Sequence, residues 1–337
     1  MAERRVIVVG ATGFAGALAA HLLWRHREFE LVAVTGRSEV GRVLSELYPR
    51  YRVPLKIEEL TDEMLARCGK IDAAIVGYPH AAAAPTVAML HGRGMRVIDL
   101  SADFRLSDLH TYERTYGLHP RGELLGRAVY GLTELHRRQI ASASIVANPG
   151  CYPTATLLAL APLARAGLID DVVVDAKQGV SGAGRGGALE MTHLSYTGEN
   201  IIPYKVAAHR HTPEIEQELD LLGFSSPVQF QAHLVPLDEG ELVSCYVTPS
   251  RKVEISELEE LYSSAYADEP FVEVVRRPPG VKEVRETNWC RLFVTADPHT
   301  GKVIAFAALD NLWKGTSSQA VQNLNLMFGL QETEGLL

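Results

Sequence analysis

Arg5-Val6-Ile7-Val8-Val9-Gly10-Ala11-Thr12-Gly13-Phe14-Ala15-Gly16 is an apolar run that ends in glycines spaced Gly-x-x-Gly-x-x-Gly and passes into a further apolar segment through Leu23. An unbroken run of this kind has the pattern of a strand covered on both faces, as in a parallel sheet. Glycines between such a strand and a helix let the backbone approach a pyrophosphate that rests on the helix amino terminus. The spacing is a variant of the usual Gly-x-Gly-x-x-Gly, and the strand-loop-helix order carries the reading. The stretch predicts an α/β fold, a Rossmann-type doubly wound parallel sheet, with Gly10, Ala11, Thr12, Gly13, Phe14, Ala15 and Gly16 as the cofactor-binding loop.

Downstream residues extend the same pattern. Leu31-Val32-Ala33-Val34 reads as the second strand and ends at Thr35-Gly36-Arg37-Ser38. An NAD site calls for an acidic residue here, to hold the ribose 2′-hydroxyl. Arg37 and Ser38 suit a 2′-phosphate instead, so the expected cofactor is NADP. Ala73 to Val76 and Val97 to Leu100 read as further strands, separated by an alanine-rich helix from Ala81 to Leu90. The loops Gly77-Tyr78-Pro79-His80 and Ser101-Ala102-Asp103-Phe104-Arg105 then fall at the carboxyl edge of the sheet, where ligands of such folds bind. Arg105 is a candidate anion ligand, with a salt bridge to Asp103 or Asp108 as the alternative.

A second decisive stretch is Ala147-Asn148-Pro149-Gly150-Cys151-Tyr152-Pro153-Thr154, followed by the apolar run Ala155 to Leu163. Ile145 and Val146 form a short strand, Asn-Pro-Gly turns the chain, and Pro153 suits the first turn of a helix. Cys151 thus stands at a helix start, where free amides and the helix dipole are expected to pull its pKa down towards a reactive thiolate, with a buried cysteine used as a small hydrophobe as the alternative. Further on, Pro162 is expected to end or kink the helix.

The remainder reads as a second domain. Val172 to Ala176 is a strand leading into the small-residue run Gln178 to Gly187, in which Ser181 and Arg185 are placed to hold an acyl or phosphoryl oxygen. His209-Arg210-His211-Thr212-Pro213 brackets an arginine with two histidines at a helix start, a source of acid/base chemistry for the thiol. Gln229 to Val235, Leu242 to Val247, Arg291 to Val294 and Val303 to Phe306 alternate as strands of an antiparallel sheet. Ser256 to Ala267 reads as a helix capped by Ser256. A last helix, Ser318 to Phe328, carries Ala320, Val321, Leu324, Met327 and Phe328 on one side, expected to pack on the first domain.

Composition excludes several classes. At 337 residues the chain exceeds what one core usually supports. A net charge of -8 argues against nucleic acid or an anionic membrane as partner. The amino terminus runs directly into a strand, with no signal-peptide or membrane-span pattern. Cys68, Cys151, Cys245 and Cys290 are far apart and form no CxxC pair, so neither a metal site nor a disulfide framework is indicated, and a cytoplasmic setting fits.

Together these motifs resemble the N-acetyl-gamma-glutamyl-phosphate reductases, relatives of aspartate-semialdehyde dehydrogenase, nearly end to end. The resemblance rests on Gly10 to Gly16, Ala102-Asp103-Phe104-Arg105-Leu106, Pro149 to Thr154, Ser181-Gly182-Ala183-Gly184-Arg185, His209 to Ile215 and Asp310-Asn311-Leu312-Trp313-Lys314-Gly315. Two places depart from the family pattern: Ala17 replaces a frequent acidic residue, and Leu-Pro-His-Gly appears as Tyr78-Pro79-His80-Ala81. The resemblance implies Cys151 as nucleophile and His209 as the acid/base that keeps the thiol ionised and then protonates an oxyanion. It further implies cofactor contacts at Thr35, Gly36, Arg37, Ser38, Pro79, Ser181, Gly182, Ala183, Gly184 and Asn311, with the last near the nicotinamide. Arg105, Arg185, Arg210 and His211 become substrate contacts. The expected layout is an NADP-binding domain, 1–148, completed by a C-terminal helix, 313–337, and an α+β catalytic and oligomerisation domain with a mixed or antiparallel sheet, 149–312, in a homodimer or homotetramer. The implied reaction is NADPH-dependent reduction of an acyl phosphate through a cysteine thioester, in arginine biosynthesis. The same chemistry on a carrier-bound aminoadipyl phosphate in lysine biosynthesis, a nucleotide-free cysteine hydrolase and a non-catalytic NADP-binding redox sensor are the alternatives.

Overall fold

The computed structural model describes residues 4–186 and 192–337. Gly187, the end of the small-residue run, lies outside them. The chain forms two compact units, one reaching to Pro149 and including Thr316–Leu337, the other Gly150–Gly315. Among the described residues no helix is long and apolar enough to cross a membrane.

The first unit is built on seven strands: β1 (Arg4–Val9), β2 (Phe29–Thr35), β3 (Ile57–Glu58), β4 (Ala73–Val76), β5 (Arg96–Asp99), β6 (Ala128–Tyr130) and β7 (Ile145–Ala147). They are parallel throughout, in the order β3-β2-β1-β4-β5-β7-β6. Val6, Ile7, Val8 and Val9 are fully buried, as their unbroken apolar pattern requires. The winding reverses between β1 and β4, the switch point at which doubly wound sheets bind ligands. The alanine-rich helix begins at Ala83, two residues later than its composition indicated, because Ala81 takes a left-handed φ of 63°.

The closing helix of this unit, Ser318–Met327, differs from its expected one-sided pattern. Gln319, Gln322, Asn323 and Asn325 are as buried as its aliphatic residues. Their amides replace solvent with backbone partners: Gln319 Nε2 donates to the Gly131 carbonyl at 3.1 Å, Asn323 Nδ2 to the same carbonyl at 2.7 Å, and Asn325 Nδ2 to that of Glu334 at 2.9 Å.

The second unit holds β8 (Ile169–Gln178), β9 (Ile202–Tyr204), β10 (Gln229–Leu234), β11 (Glu241–Pro249), β12 (Val272–Val274), β13 (Cys290–Ala296) and β14 (Val303–Leu309). Their order is β12-β13-β14-β11-β8-β10-β9. The sheet is mixed, the first of the two arrangements expected for this domain, since β10 runs parallel to β8 and β12 to β13. Against it packs the helix Cys151–Arg165, buried from Tyr152 to Ala164. Pro162 does not end this helix, which continues to Arg165. A proline removes the amide that would bond the carbonyl four residues earlier, here Leu158. The Tyr266 hydroxyl donates to that carbonyl instead, and Tyr262 donates to the next, Ala159. Both tyrosines belong to or adjoin the helix Ile255–Ala265, whose amino-terminal flank is Glu254, so Ser256 lies inside the helix and is not its cap.

Candidate active site

In the first unit, the loop after β1 folds onto the helix Phe14–Trp24. Gly10 adopts φ +82°, and its amide and that of Ala11 both donate to the Thr35 carbonyl at 2.9 Å. A Cβ on Gly16 would stand 2.3 Å from the Gly10 carbonyl oxygen, so helix and loop approach to a distance that only glycine permits. The helix starts at Phe14 with Gly13 in the capping position, and its first-turn amides have no partner within the helix. Beside the end of β2, Gly36, Arg37, Tyr78, Pro85 and Thr86 line a cavity, with Glu59 also on its wall. The Arg37 guanidinium lies 4.3 Å from the centre of the Tyr78 ring. Ser38 and Pro79 are exposed beside it. A glycine cradle, a helix amino terminus and a cationic cavity wall together fit the parts of a phosphorylated dinucleotide.

Arg105 is buried in the same unit. Its Nε donates to the Asn148 carbonyl at 2.8 Å and its Nη2 to that of Leu100 at 2.9 Å. The Asn148 side chain bonds the Thr316 carbonyl at 2.9 Å and Asn323 at 3.2 Å. The segment that leads into Cys151 is therefore fixed through main-chain and side-chain bonds.

In the second unit, Cys151 is the first residue of its helix and retains partial exposure. Gln178 Nε2 donates to its sulfur at 3.0 Å. The Gly150 amide donates to Glu214 Oε1 at 2.8 Å, which ties the start of the Cys151 helix to the helix Thr212–Leu221. His209 is 8% exposed, and its Nε2 lies 3.4 Å from the Tyr204 hydroxyl, which in turn donates to the Tyr152 hydroxyl at 3.2 Å. The His211 amide donates to His209 Nδ1 at 3.2 Å. An amide can only donate, so Nδ1 is an acceptor and the neutral ring carries its hydrogen on Nε2. Ser181 Oγ bonds the Asp238 carbonyl at 2.7 Å. Asn311 bridges Ser181 Oγ at 3.0 Å and the Gly240 amide at 2.7 Å. Gly182, Ala183, Gly184 and Arg185 are exposed, whereas Arg210 and His211 are partly covered.

Residues 5–143 match the model of the semialdehyde dehydrogenase NAD binding domain, and residues 151–311 that of the semialdehyde dehydrogenase dimerisation domain. The chain belongs to the semialdehyde dehydrogenase family. It is 48% identical to the N-acetyl-gamma-glutamyl-phosphate reductase of Desulforudis audaxviator, over 99% of this chain and 98% of the relative. With the protein of the same name from Moorella thermoacetica it shares 46%, over 98% and 96%. Aspartate semialdehyde dehydrogenase II of Vibrio cholerae, solved with ASA, superposes with a TM-score of 0.74 at 18% identity, covering 97% of this chain and 98% of that one. That likeness concerns the fold.

Two expectations for this semialdehyde dehydrogenase site are corrected by its electrostatics. The Cys151 thiol is pushed up, not down. Burial and the Glu241 carboxyl outweigh the help of Gln178 and the helix-start amide. His209 is lowered to about 3, first by burial and then by Lys205 and Arg210, so it is a neutral imidazole at pH 7 and not an imidazolium that holds a thiolate. The sequence pattern gives no sign of Glu241 or Tyr204, places Glu214 in the His209–Ile215 motif without a role, and shows Gln178 only as the start of a small-residue run. Gln178 and Glu241 are directly paired across β8 and β11, which points both side chains to one face. Glu241 is fully buried there.

Proposed function

We propose that this semialdehyde dehydrogenase reduces N-acetyl-gamma-glutamyl phosphate to N-acetylglutamate 5-semialdehyde and phosphate, with Cys151 as nucleophile. The observation that carries the reading is the Cys151 sulfur at the start of a buried helix, bonded to Gln178 at 3.0 Å. Its full-length kinship with N-acetyl-gamma-glutamyl-phosphate reductases selects this acyl phosphate over the lysine-branch substrate, and the thiol site opposes a purely sensory role.

Cys151 Sγ attacks the acyl carbon, an S–C bond forms, and the C–O bond to phosphate breaks. The thiol proton leaves with the phosphate, as hydrogen phosphate. Gly10 to Gly16, Thr35, Gly36, Arg37, Ser38 and Pro79 would hold NADPH, with Ser181 to Gly184 and Asn311 as further contacts, and the bound cofactor would supply the hydride for reduction of the thioester. His209 Nε2–H then donates to the oxyanion of the resulting thiohemiacetal, a task its tautomer serves without prior protonation. Collapse releases the aldehyde and returns Cys151 as a thiolate, which takes one proton from water to restore the thiol. Arg185, Arg210 and His211 serve the substrate phosphate and carboxylate. Arg105 assists by holding the turn before Cys151. The enzyme works in the cytoplasm as a homo-oligomer, a dimer or tetramer, through its dimerisation domain.

The reverse reaction tests this. N-acetylglutamate semialdehyde, phosphate and NADP are expected to give NADPH only when phosphate is present, with NAD a poorer acceptor. Cys151→Ser abolishes the reaction, and His209→Asn lowers it by about 100- to 10,000-fold. Turnover without phosphate would refute the acyl-phosphate assignment.

A further inference from the structure

Among the described residues, the Glu241 carboxyl acts directly on the nucleophilic sulfur. It is 0% exposed, and neither oxygen meets a hydrogen-bond donor of full geometry among the described residues. The groups that act on it are the Cys151 thiol and the Asp310 carboxyl, and it acts in turn on the hydroxyls of Tyr152 and Tyr204. None of these is a cation. A carboxylate in such a place would stand desolvated beside another acid and beside a sulfur that must become negative, an arrangement that physical chemistry strongly disfavours. A neutral carboxylic acid suits the same place, because its O–H has an acceptor in the sulfur.

Strand register makes this arrangement specific. Glu241 begins β11 between Gln178 of β8 and Leu309 of β14, so Gln178 and Glu241 project side by side from one face of the sheet. Gln178 already donates an N–H to Sγ at 3.0 Å. We propose that Glu241 works as a neutral carboxylic acid whose O–H donates to Cys151 Sγ, so that the sulfur anion is met by two donors as it attacks and again as it leaves. Burial holds the Glu241 carboxyl well above the usual carboxylate range, which agrees with the acid form. The inference rests on the acyl-transfer reading of Cys151. It adds no reactant: Glu241 keeps its proton throughout, and the thiol proton still departs with phosphate.

The test compares Glu241→Gln, which retains a donor but cannot ionise, with Glu241→Leu, which fills the space without one. In the full-length enzyme, the pH dependence of Cys151 alkylation by iodoacetamide, followed on its peptide by mass spectrometry, reads the sulfur alone. The midpoint of Glu241→Gln is expected about one to two pH units below that of Glu241→Leu, the size of one hydrogen bond to a charged group. In turnover Glu241→Gln loses up to about tenfold and Glu241→Leu about 100-fold, as for removal of one donor to a developing anion. Coincident alkylation midpoints would overturn the proposal, as would a Glu241→Leu enzyme as active as Glu241→Gln. Equal and near-complete inactivation of both would also overturn it, because it would make Glu241 a base. Loss of phosphate dependence in the unmodified enzyme would instead sink the acyl-phosphate reading, so the two failures are distinguishable.

Discussion

Replacement of Gly315 by alanine is expected to separate catalysis from stability in this enzyme. A Cβ built on Gly315 would stand 2.8 Å from Cys151 Cβ, with the Asp310 carbonyl oxygen and Leu309 Cδ1 each at 3.2 Å. Carbon atoms in ordinary contact are about 3.5–4.0 Å apart, so roughly 1 Å must be given up. Asp310 and Leu309 leave little room to share the displacement, and the load falls on Cys151. Overpacking of this size costs about 1–3 kcal/mol of stability. A 1 Å error at a reacting atom costs about 100-fold in rate. The assay is kcat for phosphate-dependent NADPH formation beside the thermal midpoint. Gly280→Ala serves as the control, since among the described residues no atom lies within 4 Å of its added Cβ and its φ of -106° suits alanine. The expected result is a folded Gly315→Ala enzyme with kcat reduced about 100-fold and an unaffected control. Undiminished kcat in Gly315→Ala would refute the claim that the sulfur is held in one productive position.

Other consequences follow from the same geometry. Gly16→Ala forces a Cβ against the Gly10 carbonyl at 2.3 Å, and calorimetry should record NADP affinity lowered by tenfold or more, an estimate from about 1–3 kcal/mol of overpacking. His209 binds its proton far less readily when folded, about 3 against an unfolded 6.5, so the unfolded chain holds more protons in that window and stability falls as pH drops from 6.5 towards 3. Denaturant titrations of His209→Asn should show a shallower acid loss than the unmodified protein, and an equal slope would contradict the assignment. Asp99 has the opposite sign: burial raises it to about 7, so its stabilising acid form is lost as pH rises from about 4 through 7. Asp99→Asn should therefore stabilise the fold more at pH 8 than at pH 5, with denaturation midpoints at the two values as the check.

The fold was legible where local pattern and burial coincide. Val6 to Val9 has no polar face to place in water, and the glycines after it admit one loop geometry against the helix that follows. What escaped the sequence depends on distant partners. Pro162 reads as a helix stop, but the hydroxyl that replaces its missing amide comes from Tyr266, 108 residues beyond the carbonyl it serves. The last helix looks one-sided because its glutamine and asparagines find partners in loops that no periodicity reveals. Glu241 sits in a charged, turn-like stretch, Asp238-Glu239-Gly240-Glu241, whose composition says surface. Only the β8–β11 register turns it inward beside Gln178. The Cys151 thiol went astray for the same reason. The helix start is a local feature and favours the anion, while the burial and the carboxyl that outweigh it are assembled from other strands.

On the proposed mechanism the acyl group passes through the sulfur of residue 151 as a covalent thioester. This step is tested most directly by incubating the enzyme with N-acetyl-gamma-glutamyl phosphate while NADPH is withheld, then quenching in acid and weighing the intact chain and its Cys151 peptide. The expected result is an N-acetylglutamyl adduct on that peptide, one phosphate released per adduct, discharge of the adduct on addition of NADPH, and no adduct in Cys151→Ser. Turnover by an enzyme that never carries the acyl mass, or an adduct that survives NADPH, would contradict it.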